Sequence, residues 1–260
     1  GILMTTHNGQ RVLVTAGAGG IGRAIATAFV SAGATVHVCD IDEPALSALR
    51  AQVLGISTSV CDIADRSAVE RMIKEATATL GGLDVLVNNA GIAGPAASVE
   101  DMDPGAWEAV LRVNLTGTFT VTQMAIPYLK QSAAGSILVM SSLAGRFGYP
   151  NRSPYSTTKW GLIGFTKTLS RELGEFGIRV NAIFPGAVEG PRLHQVFEGR
   201  ASATGRSVAQ EEAAALANQS IKRFVDPADI AALAVFLASD AARSISGQML
   251  PIDGDSQSAS

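Results

Sequence analysis

Seven short runs rich in β-branched and aliphatic residues punctuate the chain: Arg11–Ala16, Thr35–Asp40, Ile56–Val60, Leu83–Val87, Ser136–Met140, Arg179–Ile183 and Gln248–Ile252. Most lack strict apolar–polar alternation, the pattern of strands covered on both faces. Between them the period lengthens. Ile21, Ile25, Ala28, Phe29 and Ala32 form one apolar helical stripe, and Gly33 stops it. Further helices are predicted over Glu43–Val53, Arg66–Leu80, Pro104–Lys130, Pro154–Phe176 and Pro227–Ser239, three of them opening on proline, which suits a first helical turn. Strands and helices in strict alternation predict an α/β fold of parallel strands joined by crossover helices.

Composition narrows the picture. The 260 residues, 47% apolar and 17% charged with 27 glycines, predict a single globular domain, 1–260, with a short N-terminal tail at 1–9. A net charge of -3 and 5% aromatics give no electrostatic or stacking reason to expect a nucleic-acid partner, and no reason to expect an anionic membrane. The start has no basic stretch followed by an apolar run, Met4 reads as the natural first residue, and no stretch approaches the roughly 18 apolar residues of a membrane span. Cys39 and Cys61 cannot make a disulfide framework; they read as buried thiols of a cytoplasmic protein. His7, His37 and His194 are scattered, so no metal site is expected. A Gly-x-Ser-x-Gly elbow and a phosphate-loop lysine motif are both missing, which removes the common hydrolase and kinase readings.

Two stretches carry chemistry. TAGAGGIG, residues 15–22, ends the first strand and opens the first helix, where glycines let backbone amides approach a pyrophosphate at a helix N-terminus. Asp40 closes the second strand, placed to accept hydrogen bonds from an adenosine ribose and to repel a 2′-phosphate; no Arg or Lys in the turn or just after Asp40 offsets it, so NAD is favoured over NADP. The second stretch, RSPYSTTKWG, sets Lys159 one helical turn after Tyr155. Removing the proton of an alcohol while hydride leaves its carbon needs a nearby base. An ordinary phenol ionises near 10, and poising it near 7 requires about 4 kcal/mol, to which an adjacent ammonium contributes.

With CDIAD (61–65), NNAG (88–91), VNLTG (113–117), MSSLAG (140–145), YSTTK (155–159), NAIFPG (181–186) and SGQMLPIDG (246–254) following in order, the chain resembles the short-chain dehydrogenase/reductase family along nearly its whole length. The resemblance implies a doubly wound Rossmann sheet of seven parallel strands with helices on both faces. It implies Ser142, Tyr155, Lys159 and Asn114 as catalytic residues, Ser142 being preferred to Ser141 because it stands 13 residues before Tyr155. In that scheme Asn114 would hold a water linking Lys159 to solvent. Gly17, Gly20, Ile21, Gly22, Asp40, Asp62, Ile63, Asn89, Ala90, Gly91, Pro185, Gly186 and Val188, with Tyr155 and Lys159, would then line the cofactor, Asp62 at the adenine amino group. Two positions depart from the family pattern. Ala16 replaces the first turn glycine, so either its methyl is tolerated or the turn shifts towards Gly17, and Gly190 stands where a threonine often binds the carboxamide, leaving the backbone of Val188 to serve.

Residues 187–224 correspond to the family's substrate lid. Arg146, Arg152 and Arg192 are candidate anchors for an anionic substrate; alternatively the lid cations His194, Arg200 and Arg206 are solvated or pair with Glu189, Glu198, Glu211 and Glu212, and Leu193, Val196 and Phe197 line an apolar pocket. The expectation is an NAD-dependent oxidoreductase for a small polar secondary alcohol or ketone, polyol-like or anionic, assembled as a homotetramer through the helices around Pro104–Lys130 and Pro154–Phe176. Two alternatives stay open: an NADPH-dependent 3-oxoacyl carrier reductase, and a non-catalytic NAD-sensing regulatory protein. The last residues, DGDSQSAS, are either a loose tail or a segment tied down in an assembly.

Overall fold

A computed structural model describes residues 9–259. The N-terminal tail expected at 1–9, Met4 included, lies outside the described residues except for Gly9. The strands are β1 (Arg11–Thr15), β2 (Thr35–Asp40), β3 (Ser57–Val60), β4 (Val85–Asn88), β5 (Ser136–Met140), β6 (Arg179–Pro185) and β7 (Met249–Ile252). All pair in parallel, in the order β3-β2-β1-β4-β5-β6-β7. The order reverses between β1 and β4, and the crevice at the strands' carboxyl ends beside that reversal is where doubly wound sheets bind ligands.

Every strand except β3 feeds two cores. Val12, Val14, Val36, Val38, Val85 and Val87 point to one face with Ile25, Phe29 and Leu237; Leu13, Leu86, Ile137 and Val139 point to the other with Met72, Leu129 and Leu169. Burial on both faces removes any call for polar alternation, which is why these strands read as continuous apolar runs. The first face is covered by α1 (Gly20–Ser31) and α9 (Pro227–Leu237), the second by α3 (Arg66–Leu80), α5 (Thr118–Leu129) and α6 (Ser153–Leu173). Truncating a fully buried core ring such as Phe29 to alanine costs about 3–5 kcal/mol.

Two boundaries differ from the expected ones. β4 begins at Val85, and just before it the Asp84 carboxylate receives the Arg11 backbone N–H, Nε and Nη2 together with the Ser132 hydroxyl. Burial alone would raise the Asp84 pKa, yet these bonds outweigh it and hold the group below its ordinary value. The helix expected over Pro104–Lys130 is divided into α4 (Pro104–Leu111), a π-helical turn Arg112–Gly117, and α5. The segment 187–224, expected to form the lid, contains α7 (Pro191–Thr204) and α8 (Val208–Ala217). The C-terminal residues are tied to their own chain: Gln219 and Ser256 form an antiparallel bridge, and the Gln257 N–H donates to the Asn218 carbonyl. Among the described residues no helix is long and apolar enough to cross a membrane.

Candidate active site

The turn after β1 is built by exclusion of side chains. A β-carbon on Gly17 would lie 2.7 Å from Val38 Cγ1, and one on Gly22 would lie 2.3 Å from the Ala16 carbonyl oxygen and 2.5 Å from Asn89 Nδ2. Ala16 adopts φ 51°, so the turn is not shifted: the methyl is carried in the left-handed region. Helices α2 (Glu43–Gln52), α3, α4, α8 and α9 start from Asp or Ser caps, but α1 starts from Gly19 with no side-chain cap. No side chain caps its first amides, as is also the case for α5, α6 and α7, and at the end of β1 these amides could hold a dinucleotide pyrophosphate.

Asp40 is fixed over this turn. Its Oδ2 accepts from the Ala18 N–H at 3.1 Å and its Oδ1 from the Asp42 N–H at 3.1 Å. Asp62 is exposed and caps its own loop through the Ala64 N–H, while Ile63 packs against Gly117 of the π turn. Cys39 and Cys61 are both buried beside these aspartates; the hydrogen bond with Cys61, and then burial, push the Cys39 thiol well above its ordinary range.

Across the reversal, Thr15 organises the turn after β4. Its hydroxyl oxygen accepts from the backbone N–H of both Asn89 and Ala90 at 3.0 Å, and Asn89 Nδ2 returns to the Ala16 carbonyl. Asn114 continues the lattice: Oδ1 accepts from the Ile92 N–H at 2.8 Å, and Nδ2 donates to the Ile92 carbonyl and to Thr158 Oγ1. Both amide protons are thus engaged within the protein. Asn114 pins the loop after β4 onto α6. A β-carbon on Gly91 would sit 3.3 Å from Asn114 Oδ1 and 3.4 Å from Lys159 Nζ, so glycine there allows the close approach.

Lys159, 5% exposed, donates from Nζ to the Met140 carbonyl at 3.2 Å and lies 5.5 Å from the centre of the Tyr155 ring. The neighbouring serines differ. Ser141 is buried with its hydroxyl on the Lys159 carbonyl, whereas half-exposed Ser142 accepts from the Ala144 N–H, which leaves its own proton to donate. Tyr149 packs edge-on against Tyr155, with ring centres 6.4 Å apart. Gly186 closes the far side, its N–H on the Ile252 carbonyl, and Val188 is held by a bridge to Val225. Thr15, Thr158 and Tyr149 have no counterpart in the sequence reading; hydroxyls at a strand end and on the helix face below Tyr155 were the available signal.

The candidate anchors are dispersed. Arg146 Nη1 pairs with Asp253 at 2.9 Å, and Arg152 Nη1 donates to the Gly94 carbonyl, so both guanidiniums have protein partners. Arg192, on the first turn of α7, is exposed. In the lid, His194 contacts Glu189 and Glu212, and Arg206 contacts Glu211 at 3.6 Å.

A family model described as enoyl-(acyl carrier protein) reductase matches residues 16–254. The chain belongs to the short-chain dehydrogenase/reductase family. It is 37% identical over 250 residues to the 3-oxoacyl-[acyl-carrier-protein] reductase FabG of Thermotoga maritima, covering 95% of this chain and 97% of that one. It is also 37% identical over 252 residues to D-beta-hydroxybutyrate dehydrogenase of Cupriavidus necator, covering 95% and 97%. Among solved structures, NAD+-bound xylitol dehydrogenase superposes with a TM-score of 0.88 at 29% identity, covering 95% of this chain and 98% of that one. As a family member the chain is an oxidoreductase with a Rossmann fold.

Proposed function

We propose that the protein interconverts a small polar secondary alcohol and its ketone with NAD(H), a hydroxy acid or polyol being the substrate class. The observation that carries this reading is the Lys159 ammonium buried beneath the Tyr155 ring, in the same crevice as half-exposed Ser142 and the uncapped start of α1. In oxidation Tyr155 Oη takes the hydroxyl proton of the alcohol; in reduction it returns that proton to the forming alkoxide. Lys159 would bind the nicotinamide ribose, and the Ser142 O–H holds the substrate oxygen in place, a preorganised electrostatic contribution. NAD+ when bound supplies the hydride acceptor. Asn114 and Thr15 keep the loop after β4 seated so that Asn89, Ala90 and Gly91 line the nicotinamide side.

Asp40 supports NAD over NADP, since a carboxylate already fixed by two backbone amides would meet a 2′-phosphate as a like charge. The two relatives and the xylitol enzyme act, by their names, on hydroxy-acid, oxoacyl and polyol compounds, all polar at the carbinol. The FabG relative favours a second reading, an NADPH-dependent oxoacyl reductase. A screen of polyols, hydroxy acids and an oxoacyl thioester, read by nicotinamide absorbance with each nucleotide, tests both. Turnover with NAD and a free alcohol is expected; faster turnover of the thioester with NADPH would overturn it.

Assembly is part of the proposal. Phe119 on α5 and Trp160 on α6 are 46% and 49% exposed, and burying them against copies of the chain suits a homotetramer. Free buried thiols suit a reducing, cytoplasmic compartment.

A further inference from the structure

Arg146 and Asp253 lie 107 residues apart in sequence yet form an ion pair at 2.9 Å, with the carboxylate only 4% exposed. Each end of the pair belongs to a part of the site. Ser142 opens, and Arg146 closes, the single 3-10 turn Leu143–Gly145. Asp253 follows β7 and packs on Gly186, where an added β-carbon would lie 2.7 Å from Asp253 Cα.

The two carboxylate oxygens divide between two elements. Oδ2 takes the Arg146 guanidinium, and Oδ1 accepts from the Asp255 N–H at 2.9 Å. From there the chain runs along the exit end of the lid: the Ser220 N–H donates to the Asp255 carbonyl, the Ile221 N–H to the Gly254 carbonyl, and Asn218 Nδ2 to the Ser258 carbonyl. The Ser256 hydroxyl folds back onto the Asp253 carbonyl at 2.7 Å. Residues 253–258 are therefore a strap across the end of the lid, and the Asp253 carboxylate joins that strap to the turn that carries Ser142.

We propose that the Arg146–Asp253 pair is a positioning element that couples the lid to the substrate-oxygen contact, so that the placement of the lid and of the Ser142 hydroxyl are set together. This rests on the reading of Ser142 as the holder of the substrate oxygen. Arg146 acts through the turn and not as a substrate anchor. A carboxylate this enclosed needs its cation, because removing one partner strands the other charge, while a charge-assisted bond fixes geometry more firmly than a neutral one.

Asp253→Asn, Arg146→Met and Arg146→Lys, studied in the full chain with bound nucleotide, test the coupling. Asp253→Asn and Arg146→Met are expected to lower kcat/KM for the best alcohol about tenfold, through kcat as well as KM, with NADH affinity held within about twofold. Arg146→Lys keeps the charge and is expected to recover most of the loss. Combining Arg146→Met with Asp253→Asn is expected to cost no more than either alone, as for two residues of one interaction. Hydrogen exchange supplies a readout independent of turnover: the amides of Ser220, Ile221 and Gln257 are expected to exchange faster in Asp253→Asn while those of β1, β4 and β5 do not change. Unchanged exchange at the strap would overturn the proposal, as would additive losses in the double variant. So would exchange that rises throughout the sheet together with lost NADH affinity, which marks a purely structural role. A wild-type protein that turns over no alcohol with either nucleotide would instead overturn the functional reading, and the exchange measurement would still decide the coupling.

Discussion

The two walls of the crevice are held by different physics. On the side built from the ends of β1, β2, β4 and β5, side chains 5% exposed or less (Thr15, Asn114, Thr158, Lys159) fix one another and the backbone around them. On the lid, Phe197 is the buried residue of α7 and Glu211 that of α8, and the polar contacts are half-exposed pairs such as His194 with Glu189. Buried hydrogen bonds are costly to leave unmade, whereas exposed ion pairs contribute about 0–1 kcal/mol. On the proposed reading the chemical step is placed in a lattice that tolerates little change, and substrate choice in a layer that can be altered with small loss of stability.

The largest expected effect tests the buried wall. Tyr155→Phe removes one oxygen from a ring that also packs on Tyr149, so the fold and nucleotide site should persist while kcat falls by about 10³-fold, the range of a lost general acid–base group. Titration of the variant with NADH should give an affinity near that of the wild type. Retained turnover would remove Tyr155 from the chemistry, and the contrast between the walls would lose its meaning.

Acid should also be felt on the buried side. His37 lies in β2 between Ser57 and Ser59, each 2.7 Å from a ring nitrogen, and burial pushes its pKa down to about 4 against an opposing pull from Glu75. The unfolded chain takes up this proton near 6.5 and the folded one only near 4, so the stability is fully present above 6.5 and is lost as pH falls towards 4. Between pH 7 and pH 5 the loss from this residue is about 2 kcal/mol. Urea unfolding at both pH values should show that difference in the wild type and its absence in His37→Gln; equal pH sensitivity in the two proteins would refute the assignment.

How much of each wall could be read in advance follows from the same contrast. The glycine turn, Asp40 and the Tyr155–Lys159 spacing depend on residues close in sequence, and the strand runs and first-turn prolines are local signals, so the fold and the form of the glycine turn were legible. Arg146 and Arg152 were not: their partners Asp253 and Gly94 are 107 and 58 positions away, and nothing local distinguishes a committed guanidinium from a free one. The π turn Arg112–Gly117 escaped for another reason, since one wider turn inside a helical stretch scarcely disturbs its apolar period. Thr15 and Thr158 carry no signature because a lone hydroxyl acquires its role only when a second segment arrives.

A smaller effect is expected at the lid. Arg192 is exposed at the start of α7, so Arg192→Ala should leave thermal stability almost unchanged. If it contacts a carboxylate substrate, KM for hydroxy acids should rise about tenfold with kcat little altered and with neutral polyols unaffected, the pattern of lost uniform binding. Identical constants for both substrate classes would leave the lid without an anion clamp.

The smallest effect returns to the glycine turn. Ala16 is held at φ 51°, where a β-carbon costs about 1–2 kcal/mol, and its carbonyl receives Asn89 Nδ2, which fixes the conformation from outside. Ala16→Gly relieves that strain but gives the unfolded chain about 0.5–1 kcal/mol more conformational freedom. The difference should leave the variant more stable by about 0.5–1 kcal/mol, a rise of a few degrees at most in Tm. NADH affinity should stay the same, because the amides proposed to face the pyrophosphate belong to the helix that follows. A lower Tm would mean that the methyl makes packing contacts worth more than the strain, and that the cofactor wall has evolved around alanine rather than in spite of it.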